Sequence, residues 1–221
     1  MVPMPTTDRL LQALSGPQSS TRLRAAMTLG TYPDSDLVPA LIERCAVEPD
    51  FYVRDMLTWA LTRHAADVTI PLLLAELAGG QPQARSQALH TLSKIGAAST
   101  WSAITHDLLT DPDPETAKSA WRAAVVLVPD GEEEALAAVL ASQLGRGDED
   151  LQRSLSRALV ALGEMVEAAV EDATRHPDPQ VVAHALATQQ LLEDPDSAFT
   201  VSVEEALRLR ALASAPQEEA G

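Results

Sequence analysis

Asp55, Trp59 and Arg63 stand at i, i+4 and i+8 in this chain, and His90 with Lys94 repeats the four-residue step further on. Arg153 and Arg157 repeat it again, with Arg122 in between. On a helix, these spacings place side chains above one another on one face. The chemistry on offer is recognition. Guanidinium groups take carboxylates through paired hydrogen bonds, and an indole among charges supplies an apolar anchor of the kind found in binding hot spots. Bond-breaking chemistry has no comparable signature. There is no glycine-rich phosphate loop, nucleophile elbow or paired-histidine zinc helix. His64, His90, His106, His176 and His184 are scattered, with no second ligand at zinc spacing. The expectation is therefore a protein with no catalytic residues, no metal and no cofactor. Cys45, the single cysteine, lies among apolar neighbours and reads as a buried, inert thiol.

The elements that must position these residues recur. Leu23-Arg24, Val53-Arg54, Ala84-Arg85, Ala117-Lys118, Leu151-Gln152 and Val181-Val182 open similar segments at a spacing of 30 to 34 residues. A period of that length is the signature of a stacked helical array. With the second residue of each pair as zero, offsets −1, +3 and +7 trace one apolar stripe. Offset +6 is small throughout: Gly30, Ala60, Thr91, Ala124, Ala158 and Thr188. Small residues there let a neighbouring helix approach closely. These second helices are expected at 20–30, 50–64, 83–96, 114–127, 150–162 and 179–193. First helices are expected near 7–15, 35–47, 67–78, 98–110, 132–144 and 164–175. Asp111-Pro112-Asp113-Pro114 and His176-Pro177-Asp178-Pro179 mark turns into helices. Ser202 and Glu205 form a capping box ahead of a last helix over 203–213. The array thus covers 1–193, a C-terminal capping helix 194–213, and a frayed tail 214–221.

Composition supports an all-α reading. Among 221 residues, 46% are hydrophobic but only 3% aromatic, so Ala and Leu must do the packing. The net charge of −16 argues against nucleic acid or an anionic membrane as the main partner. The N-terminus lacks a basic start and apolar run, and no stretch approaches the roughly 20 apolar residues of a membrane span. A cytoplasmic, monomeric protein is the expectation.

The Pro- and Asp-bearing turn, the aliphatic–base pair and the following Ala and Leu resemble the HEAT repeat family, most closely its short bacterial, phycobilisome-lyase-like form. The likeness spans about residues 6–193 and is sharpest at Asp50, Val53-Arg54 and Ala60-Leu61. It fades at Gln152 and Val182, which replace the base. It implies a right-handed α-α superhelix of about six helix pairs, with the second helices lining a concave wall. It also implies that the base of each pair (Arg24, Arg54, Arg85 and Lys118) bonds a turn aspartate or carbonyl and ties repeats together. No bilin site is nominated by any residue.

The second helices carry ten bases against five acids, leaving −21 on the rest of the chain. A locally basic groove in an acidic protein implies a non-catalytic scaffold for an acidic protein or peptide segment. Its candidate partner-binding residues are Asp55, Trp59, Arg63, His90, Lys94, Arg122, Arg153 and Arg157. Two alternatives share the architecture. One is a DNA-handling enzyme resembling the alkylpurine DNA glycosylases, whose site residues have no counterpart here. The other is an accessory or chaperone-like regulator of a neighbouring enzyme. Trp59 could equally fold over the adjacent repeat, Trp121 falls on the core stripe, and Trp101 lies in a first helix.

Overall fold

The second helices begin where the sequence places an aspartate or a proline. Asp50 accepts the Tyr52 and Val53 N–H groups, Asp148 that of Leu151 and Asp178 that of Gln180, satisfying donors that a helix start leaves open. Pro82 and Pro179 take first-turn positions, where no N–H is required. A computed structural model describes residues 6–213. The chain packs as two units, Met1–Leu127 and Val128–Gly221. In the first, α1 (Thr7–Leu14) pairs with α2 (Ser19–Thr31), and α3 (Val38–Val47) with α4 (Phe51–Thr62). There α5 (Ala66–Gly79) also pairs with α6 (Pro82–Ile95), and α7 (His106–Leu109) with α8 (Pro114–Leu127). The second holds α9 (Glu133–Ala141), α10 (Glu149–Ala161), α11 (Glu167–Ala173), α12 (Pro179–Glu193) and α13 (Val203–Ala213). No strand occurs among the described residues. The fold is all-α, with HEAT-like helix pairs in each unit.

Stacking follows the order of the pairs. In unit 1 the second helices pack in sequence, α2 on α4, α4 on α6 and α6 on α8; in unit 2, α10 packs on α12. No helix among the described residues is long and apolar enough to cross a membrane. The expected helix over 98–110 is instead a 3-10 turn, Ala98–Ala103, followed by the single-turn α7. Its hydroxyls explain the break. Thr100 donates to its own turn at Ala97 O, and Thr105, in extended conformation, accepts the Leu108 N–H and starts a new helix. Trp101 therefore lies in that turn and not in a helix. Ser202 Oγ accepts the Glu205 N–H as expected, and α13 buries Ala206 against Val182 and Ala183 of α12. The expected tail 214–221 lies outside the described residues.

The repeat register needs one correction. The first i→i−4 bond of each second helix is made by the N–H of Arg22, Arg54, Arg85, Ala117, Gln152 or Val182. By this bond position zero is Arg22 in the first pair, not Arg24, and Ala117 in the fourth, one residue before Lys118. Arg22 is buried and donates to the Gly16 and Pro17 carbonyls. Arg54 reaches the Glu48 and Pro49 carbonyls at the same offsets. Gln152 donates to the Gly145 and Gly147 carbonyls with an uncharged amide, so the role survives where the base is lost. Arg85 pairs with Asp111 of the next repeat's turn at 3.0 Å. Arg24 is exposed, whereas the Lys118 side chain is largely buried and has Glu115 among its partners.

One node concentrates charge in unit 1. Glu48, fully buried, accepts two bonds from Arg22 at 2.7 Å, one from Arg44 at 2.8 Å and one from the Asp50 N–H at 2.9 Å. Burial would raise this carboxyl, but these partners outweigh it and bring its pKa down to about 2. Gln83 of α6 donates to the carbonyls of Cys45 and Glu48, locking the same turn to the following pair. The Cys45 thiol beside it is buried and pushed up to about 12, first by desolvation.

Unit 2 is held by a neutral node. The Gly145 N–H donates to His184 Nδ1, so Nε2 carries the proton and donates to Gln152 O at 2.9 Å. Ser156 Oγ lies 3.0 Å from Nε2 and 2.7 Å from Thr188 Oγ1. Burial lowers the imidazole pKa to about 4, although the Gln152 carbonyl works in the opposite direction.

Glu48→Gln leaves buried Arg22 and half-buried Arg44 facing a neutral amide, and urea unfolding of unit 1 should lose about 3 kcal/mol. The units should also weaken in different acid windows. The Glu48 contribution is complete above pH 4.5 and is lost as pH falls toward 2. His184 must be neutral in the fold, so its contribution is complete above pH 6.5 and declines as pH falls to about 4. The loss is at most about 3 kcal/mol. Amide signals followed through urea titrations should show unit 2 weakening first, and His184→Gln should flatten its slope between pH 6.5 and 4. A wild-type slope that persists in the variant would assign the effect to other groups.

Candidate interaction surfaces

Helix α4 shows how a repeat presents functional side chains. Its cap at Asp50 sets the phase, so Val53, Leu57, Ala60 and Leu61 go inward while Phe51, Tyr52, Asp55 and Trp59 stay exposed. Arg63 follows at the C-cap, also exposed. Of seven aromatic residues, four are exposed in the first two pairs: Tyr32, Phe51, Tyr52 and Trp59. Phe51 and Tyr52 meet edge to face with centroids 5.7 Å apart, and the Arg54 guanidinium lies over the Phe51 ring at 5.9 Å.

Trp59 is both packed and presented. A Cβ added at Gly30 of α2 would fall on the Trp59 ring and within 2.8 Å of Ala60 Cα. Gly30 is therefore the position where a second helix approaches closely enough for the indole to lie across it. The ring nonetheless stays 41% exposed. Trp121, by contrast, is fully buried, and its Nε1–H donates to Leu109 O at 2.8 Å.

The other predicted residues of unit 1 gather on the next two second helices. Asp55, His90 and Arg122 line one crevice of about 120 Å³, together with Phe51, Arg54 and Glu115. His90 is half-buried, and its pKa is lowered first by desolvation, then by Lys94 and Arg122, while Asp55 opposes them. A charged histidine is thus disfavoured there, and the site's positive charge comes from Arg63, Lys94 and Arg122. Arg63 and Lys94 are exposed, with no ion pair among the described residues. Beneath them, Ser86 and Ser119 bond across α6 and α8 at 2.9 Å, and Thr58 and Thr91 meet across α4 and α6 at 3.5 Å. These buried hydroxyls fix the register of the helices that carry the surface.

Arg153 and Arg157 belong to unit 2. Arg153 pairs with Glu149 at 2.6 Å, and its guanidinium lies 5.7 Å from the Phe199 ring centroid. Arg157 is exposed and has no ion pair among the described residues. Both line a pocket of about 410 Å³ closed by the segment leaving α12. Sequence periodicity did not single out Phe51, Tyr52 or Phe199. The scarcity of aromatics was the available signal, because a chain with so few has little reason to leave them outside. Among the described residues no group of three or more His, Cys, Asp and Glu is placed to hold a metal ion.

Residues 7–79, spanning α1 to α5, match the family model for HEAT repeats. This segment is HEAT repeat, and the pairs in both units continue its hydrogen-bonded helix start. HEAT repeats generally mediate protein interactions and typically serve as non-enzymatic scaffolds. No curated protein matches the chain.

Replacing Gly30 by Ala should force the Trp59 ring off α2. The expected result is a shifted Trp59 indole N–H signal and a loss of about 1–3 kcal/mol from unit 1, the usual range for overpacking. An unshifted indole signal would contradict this packing.

Proposed function

We propose that the second-helix face of unit 1 holds an acidic protein segment that carries an apolar side chain. The observation that supports this reading most directly is Trp59, seated on Gly30 yet 41% exposed, in a chain with few aromatics. Around it, Arg63 and Lys94 are open cations in a protein whose net charge is −16. An indole whose position is already set by packing loses little rotamer freedom on binding, which favours a hot-spot role. Arg63, Lys94 and Arg122 attract carboxylates, and Asp55, within the same patch, disfavours a densely acidic segment pressed close to His90. Arg122, exposed, and His90, half-buried, line the same crevice and suit a single carboxylate. The partner is therefore a short segment with dispersed acidic residues around one aromatic or aliphatic anchor.

Selection of random dodecapeptides on the full chain at low salt tests the reading. Enriched peptides should combine Asp or Glu with an apolar residue, and their affinity should fall as salt rises. The triple variant Trp59→Ala, Arg63→Ala, Lys94→Ala should lose at least about tenfold in affinity, as expected for truncating one hot-spot residue and two cations. Peptides without acidic bias, or equal retention by the folded variant, would defeat the proposal.

A further inference from the structure

In unit 2 the chain departs from the repeat and, in departing, builds a pocket. After α12, Asp194 accepts the Asp196 N–H and its carbonyl accepts the Ser197 N–H, forming a tight turn through Pro195. The segment then runs back along α10 and α12. Phe199 seats its ring edge-to-face on buried His184, with centroids 6.0 Å apart, and under the Arg153 guanidinium. Beyond it, Val201 and Val203 pack against the α12–α13 core. The result is a pocket of about 410 Å³ with Leu191, Pro195, Ala198 and Phe199 as apolar wall and Arg153 and Arg157 as the polar side. Its size falls in the range of small-molecule sites, and its lining divides about evenly between apolar and polar surface, with Ser197 beside the two arginines.

Two features specify the ligand's charge. Residues 128–213 hold six bases against 17 acids, so bringing two of the six to one pocket is not a consequence of abundance. Arg153 is already neutralised by Glu149 and held in place by Phe199. Arg157 has no ion pair among the described residues. The pocket therefore has one uncompensated positive charge beside an oriented guanidinium edge. That balance fits a monoanion; a phosphate dianion would be left with excess negative charge in a strongly acidic unit. A planar carboxylate matches the geometry of a guanidinium fork.

We propose that this pocket binds a small organic monocarboxylate with an apolar body, its carboxylate on Arg157 and its body against Phe199 and Leu191. The site is separate from the surface of unit 1 and does not depend on the reading given for it. Phe199 links the pocket to the His184 node, so occupancy also stabilises unit 2.

Nuclear magnetic resonance titration of the full chain with 4-phenylbutyrate, N-acetyl-leucine and octanoate tests the assignment. At least one should saturate and shift the amide signals of residues 153–160 and 195–199. Its carboxamide and inorganic phosphate should shift them little. Arg157→Ala, an exposed change, should weaken binding by about tenfold or more, the loss expected for a charge-assisted bond. Arg157→Lys, which keeps the charge but not the fork, should fall between. Phe199→Ala should weaken carboxylate and carboxamide alike. The proposal fails if none of the three carboxylates shifts these signals below about 10 mM, a weak limit even for small ligands. It also fails if acid and amide bind equally, if phosphate binds as tightly, or if Arg157→Ala binds like the wild type.

Discussion

The turn ahead of each second helix leaves carbonyl oxygens that no helix can satisfy, and a buried unpaired carbonyl is costly. In three of the pairs the side chain at the helix's first i→i−4 position meets them by reaching back over the turn. Arg22 does so for Gly16 and Pro17, Arg54 for Glu48 and Pro49, and Gln152 for Gly145 and Gly147. The requirement is for a donor of sufficient reach, not for a charge, which is why glutamine serves where arginine is absent. Once the turn is set, a cation there gains further partners: Arg22 meets the Glu48 carboxylate and Arg85 the Asp111 carboxylate of the following turn.

With turns fixed, the distance between second helices is governed by side-chain size at the seam. Gly30 against Ala60 is one close approach, and it seats the Trp59 ring against the preceding helix. Elsewhere hydroxyl pairs occupy the seam, Thr58 with Thr91 and Ser156 with Thr188, at matching positions in the two units. They bury polar groups only by pairing them, and so favour one register over neighbouring ones. This seam makes the outward positions on the second helices dependable platforms.

The two units stabilise themselves with opposite electrostatics. Unit 1 buries an ionised carboxylate among arginines, whereas unit 2 buries a neutral imidazole among hydroxyls and backbone groups. The surfaces differ in the same way. In unit 1 Arg63 and Lys94 stand open on the same face as exposed Trp59; in unit 2 an aromatic is folded in to make one cation part of a pocket wall. Architecture of this kind is shared by proteins of many roles, and the role follows from these local departures.

How much of this could be read from residues alone depends on the range of the interaction involved. Helix positions were legible because caps, prolines and apolar spacing act within a few residues, and the second helices lie within about three residues of their expected ends. The 98–110 segment was misread because hydroxyls competing for local backbone bonds break a helix without altering its apolar pattern. The phase of the first repeat was also misread. Arg22 and Arg24 look alike in sequence, and only the position of the first helical hydrogen bond separates them. Of the candidate site, Asp55, His90 and Arg122 do converge, since offsets equal or one helical turn apart on stacked helices face the same way. What periodicity could not contain is Phe199, which reaches Arg153 and His184 from 46 and 15 residues away along the chain through a non-repeating turn. The sequence by itself determined the helices and their pairing, because those rest on local hydrogen bonds and spacing. Only the tertiary structure decided which arginines are spent on carbonyls, which stay open, and where an aromatic closes a pocket, because each of these depends on contacts between elements far apart in the chain.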